Sequence, residues 1–168
     1  VSPIGVVPKG SGSFRLIHHL SWPIGQSVND GISEEASKVK YASFDEAVIR
    51  VADLGRSALM AKSDIKSAFR LLPVAKQDFD LLGMSIDGYF FVDKCLPMGA
   101  ASAPALFETF STFLEWAVKR SAQCDRVLHY ADDFLLYGTA GSGPDSCLWA
   151  LQAFISVCHE LGVPLADD

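Results

Sequence analysis

Two short apolar runs, 127–130 and 134–137, are separated by only three residues, Ala131, Asp132 and Asp133. A gap this short forces the chain to reverse direction at once, because a tight turn can join only antiparallel strands. The reversal places two adjacent carboxylates at the turn of a hairpin whose flanks are suited to a core. A fold that contains this segment therefore has an antiparallel sheet with an acidic end.

Further hairpins are predicted near the start and in the middle of the chain. Runs at 4–7 and 14–17 flank a Gly/Ser loop, and runs at 81–86 and 89–92 flank Asp87-Gly88, a dipeptide that favours a type I′ turn. Another apolar stretch, 58–63, predicts a strand that ends at Asp64. Residues 21–42 are rich in turn formers and predict an irregular connection.

Three helices are predicted from caps and from apolar spacing. Ser43-Phe44-Asp45-Glu46 is a capping box, and the helical pattern after it ends at Gly55. Pro104 suits the first turn of a long helix with an apolar stripe. The last helix is predicted to begin at Pro144 and to end at Gly162. Helices interspersed among hairpins, without strict βαβ repeats, indicate an α+β fold in which helices back an antiparallel sheet.

Composition bounds the class of protein. With 49% apolar residues in 168, the chain can build a core without disulfides or a structural metal ion. Its four cysteines form no C-x-x-C pair. We therefore expect reduced thiols and neither a zinc ribbon nor a disulfide framework. No apolar run approaches the roughly 18 residues of a membrane span, so we expect no membrane partner and an intracellular protein, cytoplasmic or nuclear. Because no Met begins the sequence, we expect an excerpt of something longer.

The acidic residues are concentrated in the second part of the chain. Residues 1–63 hold seven Lys/Arg and six Asp/Glu, a balance of +1, whereas residues 64–168 hold seven and fourteen, a balance of −7. Basic patches supply most phosphate affinity, so the net charge of −6 alone argues against nucleic acid. An acidic centre is, however, what hard divalent cations need, since carboxylate oxygens are their ligands.

Asp64 and Asp132 converge if the strand that ends at Asp64 lies beside the 127–137 hairpin. Close carboxylates repel unless a cation lies between them or one is protonated. At neutral pH, binding a metal ion costs less free energy than protonating a carboxylate. Taken singly, each Asp is more often an ordinary turn residue. Their occurrence together, in this order and with these intervening elements, favours the chemical interpretation.

These motifs resemble the fingers and palm of a reverse transcriptase, and the resemblance runs nearly end to end. Residues 2–9 with Phe14 and Arg15 look like the fingers hairpin. The palm motifs are Asp64-Ile65-Lys66-Ser67-Ala68-Phe69 for motif A, Leu96-Pro97-Met98-Gly99 with Ser102-Ala103-Pro104 and Phe107 for motif B, and Tyr130-Ala131-Asp132-Asp133 for motif C. The segment 20–30 is similar to the DIRS-like retrotransposons, which encode a tyrosine recombinase.

The resemblance implies a right-hand polymerase palm with partial fingers: residues 1–56 as partial fingers and 57–168 as palm with an interposed fingers segment, the thumb being missing. It implies an RNA-directed DNA polymerase that joins a dNTP to a primer 3′-hydroxyl with two Mg²⁺ or Mn²⁺ ions. Asp64 and Asp132 would be the metal ligands, with Asp133 as the third carboxylate. The implied partners are an RNA template, a DNA primer, dNTP and the remaining domains: a thumb and an RNase H, recombinase or integrase.

Six further residues receive roles from the resemblance. Lys9 and Arg15 would clamp the triphosphate, Phe69 would be the steric gate against ribonucleotides, and Tyr130 would touch the primer terminus. Met98 and Gly99 would lie under the nucleotide and template. Without the resemblance, the charged pair reads as solvated hairpin residues, Phe69 as ordinary core, the 98–99 segment as a plain loop and Tyr130 as packing across the strand pair.

One departure from the family pattern is His18-His19, where many relatives carry an acidic residue and an Arg. Adjacent strand residues point to opposite faces, so solvated or hydrogen-bonded histidines are expected here rather than metal ligands. Two alternatives to reverse transcription stay open. One is an RNA-dependent RNA polymerase; the other is an inactive or domesticated remnant that binds nucleic acid or protein.

Overall fold

The computed structural model describes residues 1–10 and 12–166. Within them the strands are β1 (Ile4–Pro8), β2 (Phe14–His18), β3 (Ala58–Asp64), β4 (Gly83–Ile86), β5 (Tyr89–Val92), β6 (Val127–Tyr130) and β7 (Asp133–Thr139). The α-helices are α1 (Glu34–Ser37), α2 (Phe44–Ala52), α3 (Ala103–Ala122) and α4 (Cys147–Leu161). Antiparallel strands interspersed with helices confirm the predicted α+β class.

The chain divides into two compact units. The first comprises Val1–Val39 and Ala68–Leu106, and the second comprises Lys40–Ser67 and the chain from Phe107 onward. The predicted functional division, with partial fingers over 1–56 and palm over 57–168, stays a prediction.

The first unit carries two hairpins. β1 pairs with β2, and β4 pairs with β5, both antiparallel as predicted. Asp87 and Gly88 have φ angles of 50° and 82°, the positive values that a type I′ turn requires at both central positions. β4 begins two residues later than predicted because Lys76–Leu82 forms a 3-10 helix.

The second unit is built on a three-stranded antiparallel sheet in the order β3-β7-β6. α4 packs against β7 and β3, and the rings of Phe134 and Phe154 lie 4.8 Å apart between them. Phe134, Leu136 and Phe154 are fully buried. The central strand is therefore the core of the unit, and its first residue is Asp133.

Two helices follow their predicted boundaries closely. The Ser43 hydroxyl accepts a hydrogen bond from the Glu46 N–H at 3.1 Å and caps α2. In α3 the predicted apolar stripe is buried at Phe107, Leu114 and Val118, while Phe110 is half-buried. The long amphipathic helix is therefore confirmed.

The predicted start of α4 at Pro144 is wrong. The helix begins at Cys147, because the Ser146 hydroxyl accepts from the Trp149 N–H at 3.1 Å and supplies the cap. Its end is as predicted: Gly162 takes the left-handed conformation at φ 68°.

None of the helices formed by residues 1–10 and 12–166 combines the length and apolar character needed to cross a membrane. The four cysteines are free thiols. Burial raises the pKa of Cys158 to about 12. This thiol is therefore an unreactive core residue.

Candidate active site

Asp64 and Asp133 lie directly opposite each other, one as the last residue of β3 and the other as the first of β7. Opposite residues of an antiparallel pair project to the same face, with Cβ atoms about 4.5–5.5 Å apart. The Ile65 N–H donates to the Asp132 carbonyl at 3.1 Å and holds the two segments together beyond the last strand pair. The strand that ends at Asp64 therefore lies beside the hairpin, with Asp133 directly opposite Asp64, and the convergence of the Asp64 and Asp132 carboxylates stays a prediction.

The turn that carries Asp132 is tight. Tyr130 pairs with Asp133, so Ala131 and Asp132 alone form the loop between β6 and β7. Ala131 has φ 53°, a conformation that costs an L-residue with a Cβ about 1–2 kcal/mol. Asp132 therefore lies in the turn and does not continue the side-chain alternation of β6.

The backbone around Asp64 is held from the opposite side by the segment that follows α4. The Ala166 N–H donates to the Asp64 carbonyl at 2.8 Å, and the Lys66 N–H donates to the Pro164 carbonyl at 2.9 Å. Ile65 lies between them at 1% exposure. Hydrogen bonds on both sides fix the backbone of Asp64 at the edge of the core.

A lysine contacts the acidic edge, which is the end of the sheet that carries Asp64, Asp132 and Asp133. Lys62 lies two residues before Asp64 on β3, and its Nζ is 2.9 Å from Asp133 Oδ1. Both side chains are about half exposed or more, so water screens the pair and it contributes little to stability. Its effect is chemical, because it supplies a positive charge to one carboxylate of the site.

Carboxylate oxygens at Asp64, Asp132 and Asp133 have the donor chemistry that Mg²⁺ and Mn²⁺ prefer, and the backbone brings them to one edge. Among the described residues, no group of three or more His, Cys, Asp or Glu side chains is arranged around a common ion position. The residues fit a divalent-metal site in kind and in backbone placement. Lys62 contacts only one of the two carboxylate oxygens of Asp133.

Tyr130 is 56% exposed and packs against Tyr41, with ring centroids 4.6 Å apart and the ring planes tilted by 34°. Tyr41 lies in the connection before α2. Its contact with Tyr130 was not predicted from the sequence. Burial, together with the charges of Glu108 and Asp132, raises the pKa of Tyr41. The Tyr41 ring covers part of the Tyr130 ring and leaves the rest exposed.

The predicted triphosphate ligands lie in the first unit on exposed positions. Arg15 is on β2 opposite Val7, and Lys9 directly follows β1. The Lys9 N–H donates to the Ser13 carbonyl at 2.7 Å, which closes the loop at the hairpin tip. Both side chains are accessible to a ligand.

Phe69 lies in the 3-10 helix Ala68–Leu71 and is half-buried. It is therefore neither a fully buried core residue nor a free surface ring. The gate role assigned by the resemblance stays a prediction.

Gly99 has a structural reason for lacking a side chain. Its φ is 127°, and a Cβ built there would lie 1.9 Å from the His18 carbonyl oxygen. The His18 N–H donates to the Met98 carbonyl at 3.0 Å, so the 98–99 backbone lies against the end of β2. Gly99 thus permits a backbone contact within the first unit.

Asn29, which lies in the 20–30 segment, holds the same loop from the other side. Its Nδ2 donates to the Gly99 carbonyl at 2.9 Å and to Ser21 Oγ at 2.8 Å. Its Oδ1 accepts from the Ala101 N–H at 2.9 Å. One amide therefore fixes residues 99–101, a function that no local pattern could reveal.

The two histidines lie on opposite sides of the chain, as strand alternation predicts. His19 is exposed, but His18 is 3% exposed and neither ring nitrogen has a hydrogen-bond partner among residues 1–10 and 12–166. The prediction of a solvated or hydrogen-bonded ring is therefore wrong for His18. Burial lowers the pKa of His18, the Asp93 charge opposes this and the Arg70 charge adds to the lowering.

The fold resembles solved structures of viral reverse transcriptases. The foamy viral protease-reverse transcriptase in complex with RNA/DNA hybrid superposes with a TM-score of 0.71 at 19% identity, covering 98% of this chain and 20% of that one. The same viral protein in complex with double-stranded DNA gives 0.70 at 20% identity, with 98% and 26% covered. The fold is thus the palm-like α+β fold of these polymerases, as predicted.

Sequence comparison gives the family. The model described as reverse transcriptase (RNA-dependent DNA polymerase) matches residues 7–168. The Gag-Pol polyprotein of avian leukosis virus subgroup A is 26% identical over 99% of this chain, and the Tf2-3 transposon polyprotein of Schizosaccharomyces pombe is 27% identical over 83%. The chain spans about a tenth of the length of these relatives. The chain belongs to the reverse transcriptase family.

Proposed function

We propose that the protein is an RNA-directed DNA polymerase in which Asp64, Asp132 and Asp133 form the catalytic, metal-binding site. The observation that carries the proposal is the direct opposition of Asp64 and Asp133 across β3 and β7 in a chain of this family. Asp64, Asp132 and Asp133 would hold divalent cations, which would lower the pKa of an attacking hydroxyl and stabilise charge on the departing pyrophosphate.

The chain's own residues supply the positions. The hydrogen bonds around Ile65 fix Asp64, and the two-residue loop fixes Asp132 next to Asp133. Three carboxylates at one edge create a negative electrostatic potential. Cations therefore bind at this edge in preference to the other surfaces of the chain. Tyr130, packed against Tyr41 and exposed, offers a flat ring beside this edge for the primer terminus.

Substrate recognition is proposed for residues of the first unit. Arg15 offers a bidentate fork and Lys9 a point charge, which suits a triphosphate. Phe69 acts as the steric gate that selects deoxynucleotides. The loop with Met98 and Gly99, fixed by Asn29, supports the nucleotide and template through its backbone.

The partners follow from the proposed reaction. Solved relatives are complexes with double-stranded DNA and with RNA/DNA hybrid, which supports an RNA template and a DNA primer as partners here. We further propose that a thumb, and an RNase H, recombinase or integrase, act with this chain. Membership of the DIRS-like group, on the 20–30 segment, and an intracellular location belong to the same proposal.

The test is primer extension on an RNA template by the protein that contains this chain, comparing wild type with Asp132→Asn. Loss of one metal-ligating carboxylate is expected to reduce extension by about a hundredfold or more. Asp87→Asn is the matched control, because Asn keeps the positive φ of that turn and removes a charge elsewhere. Undiminished extension by Asp132→Asn overturns the site; preference for rNTP indicates an RNA polymerase, and no extension by wild type indicates a remnant.

A further inference from the structure

His129 lies in β6, one residue before Tyr130, and its ring is held by two carboxylates of one helix. The side chain is 9% exposed, and its Nε2 is 3.0 Å from Glu108 Oε1 while Nδ1 contacts Glu115 Oε2. Glu108 and Glu115 are seven residues apart in α3, about two helical turns, so both face the same side. The ring therefore bridges the helix and the sheet.

Two ionised carboxylates both receive a hydrogen bond from the ring when each ring nitrogen carries a proton. A neutral imidazole has one donor and one acceptor, whereas the imidazolium has two donors. A neutral His129 would present a lone pair to one of the carboxylates. The geometry therefore corresponds to a charged ring between Glu108 and Glu115.

The surrounding groups support this state. The second oxygen of Glu115 accepts from Lys119 Nζ at 2.7 Å, so this carboxylate is committed as an anion. Glu108 Oε2 is buried and has no hydrogen-bond partner in the described part of the chain, which leaves the His129 contact as its compensation. Burial lowers the pKa of His129, but the hydrogen bond and charge of Glu115 and those of Glu108 outweigh it and raise the pKa overall.

The His129 ring is linked to the acidic edge by a residue of the neighbouring strand. It stacks on Phe134 with centroids 5.5 Å apart, and Phe134 is its direct cross-strand partner and adjoins Asp133. Other ionisable groups around it are Lys62 and Asp133, which line a cavity of about 340 Å³ together with His129, and Tyr41, which lies near Glu108.

We propose that His129 is a positioning residue: its imidazolium, held between Glu108 and Glu115, fixes the β6–β7 hairpin on α3 and thereby places Asp132 and Asp133. This rests on the proposed function for its catalytic consequence, but the positioning itself is a property of the chain. Loss of the ring proton turns one attraction into repulsion and releases the hairpin from the helix.

The matched variants are His129→Gln and Glu108→Gln. Gln at 129 carries no charge and presents its carbonyl oxygen to one glutamate, so the hairpin is released at every pH. Gln at 108 can donate its amide to the unprotonated Nε2, so a neutral His129 is accommodated with no loss of contact. Glu160→Gln, an exposed change on α4, is the control.

The first readout does not depend on activity. In a pH titration followed by NMR of the 168-residue chain, the amide shifts of Asp132 and Asp133 should follow the titration of the His129 ring in wild type and in Glu160→Gln. In Glu108→Gln the ring should titrate at lower pH and the two amides should no longer follow it. Amides that ignore the ring in wild type overturn the proposal, whether or not the protein is a polymerase.

The second readout is primer extension across pH. His129→Gln should extend about ten- to a hundredfold more slowly than wild type, the cost of misplaced catalytic groups. The ratio of the Glu108→Gln rate to the wild-type rate should rise with pH. Equal rates for His129→Gln and wild type, or a ratio that is independent of pH, contradict the positioning role. If wild type shows no extension, the proposed function fails and the NMR result still decides the positioning.

Discussion

Asp64 and Asp133 occupy one cross-strand pair at the end of the β3–β7 ladder, so their carboxylates share a face. Like charges directly opposite each other destabilise a sheet. Lys62, two residues before Asp64 on the same strand, contributes a positive charge at 2.9 Å from Asp133. The chain thus carries an internal counter-charge at the place where a metal is proposed to bind.

Replacing that lysine should strengthen metal binding. In Lys62→Gln the positive charge beside the Asp133 carboxylate is removed, so Mn²⁺ affinity should rise about twofold to fivefold, the equivalent of one exposed pair. Isothermal titration measures it, with Lys76→Gln as a control lysine on the first unit. Affinity that is unchanged or weaker would show that Lys62 does not compete with the ion.

Adding a methyl group at Gly99 should destabilise the fold. In Gly99→Ala the new Cβ would lie 1.9 Å from the His18 carbonyl oxygen, and the backbone φ of 127° is unfavourable for Ala. The expected loss is about 1–3 kcal/mol in the free energy of unfolding, measured by urea denaturation. Gly31→Ala, where nothing lies within 4 Å of the new Cβ, is the control. Equal stability of the two variants would mean that the 98–99 loop is not packed on β2.

Removing the Asn29 amide should loosen residues 99–101. Asn29→Ala deletes the bonds to the Gly99 carbonyl and the Ala101 N–H. Each net hydrogen bond is worth about 1 kcal/mol, so the Ala101 amide should exchange with deuterium about fivefold faster or more. Ser21→Ala removes the third partner of Asn29 and leaves both loop contacts in place. Exchange at Ala101 that does not change in Asn29→Ala would refute the role of the amide.

Local patterns sufficed for much of the fold because the signals themselves are local. The Ser43 cap, the Asp87-Gly88 turn and the αL end at Gly162 each depend on neighbouring residues alone. The start of α4 was misplaced because Pro144 is compatible with a helix start, whereas the hydroxyl that caps it belongs to Ser146.

The acidic site was predictable from two motifs and one strand pairing, but its supports were not. Contacts of His129 with Glu108 and Glu115, and of Asn29 with the 99–101 loop, join residues far apart in the sequence and depend on how the elements pack. A usable signal existed in α3, where both glutamates directly follow residues of the apolar stripe at Phe107 and Leu114. Helix periodicity placed them beside the core and could not name their partner.

Acid should weaken the second unit through Glu115. Burial raises the pKa of Glu115, but hydrogen bonds and charges from His129 and Lys119 outweigh it and hold the pKa below its ordinary value of 4.5. A depressed carboxyl pKa stabilises the fold above that ordinary value, and this contribution is lost as pH falls through the folded-state pKa.

Urea denaturation of wild type and Glu115→Gln measures this contribution. The stability difference between them should be full near neutral pH and shrink from about pH 5 downward. Glu160→Gln should track wild type at every pH. A difference that is independent of pH would show that the Glu115 charge does not contribute to folding.

The most direct test of the account is Mn²⁺ binding, followed by electron paramagnetic resonance, to wild type and to Asp64→Asn, with Asp87→Asn as control. If Asp64 and the Asp132-Asp133 turn hold cations jointly, the loss of the Asp64 charge should weaken binding about tenfold or more, while the control binds as wild type does. Equal Mn²⁺ affinity in wild type and Asp64→Asn would contradict a shared metal site at this edge of the sheet.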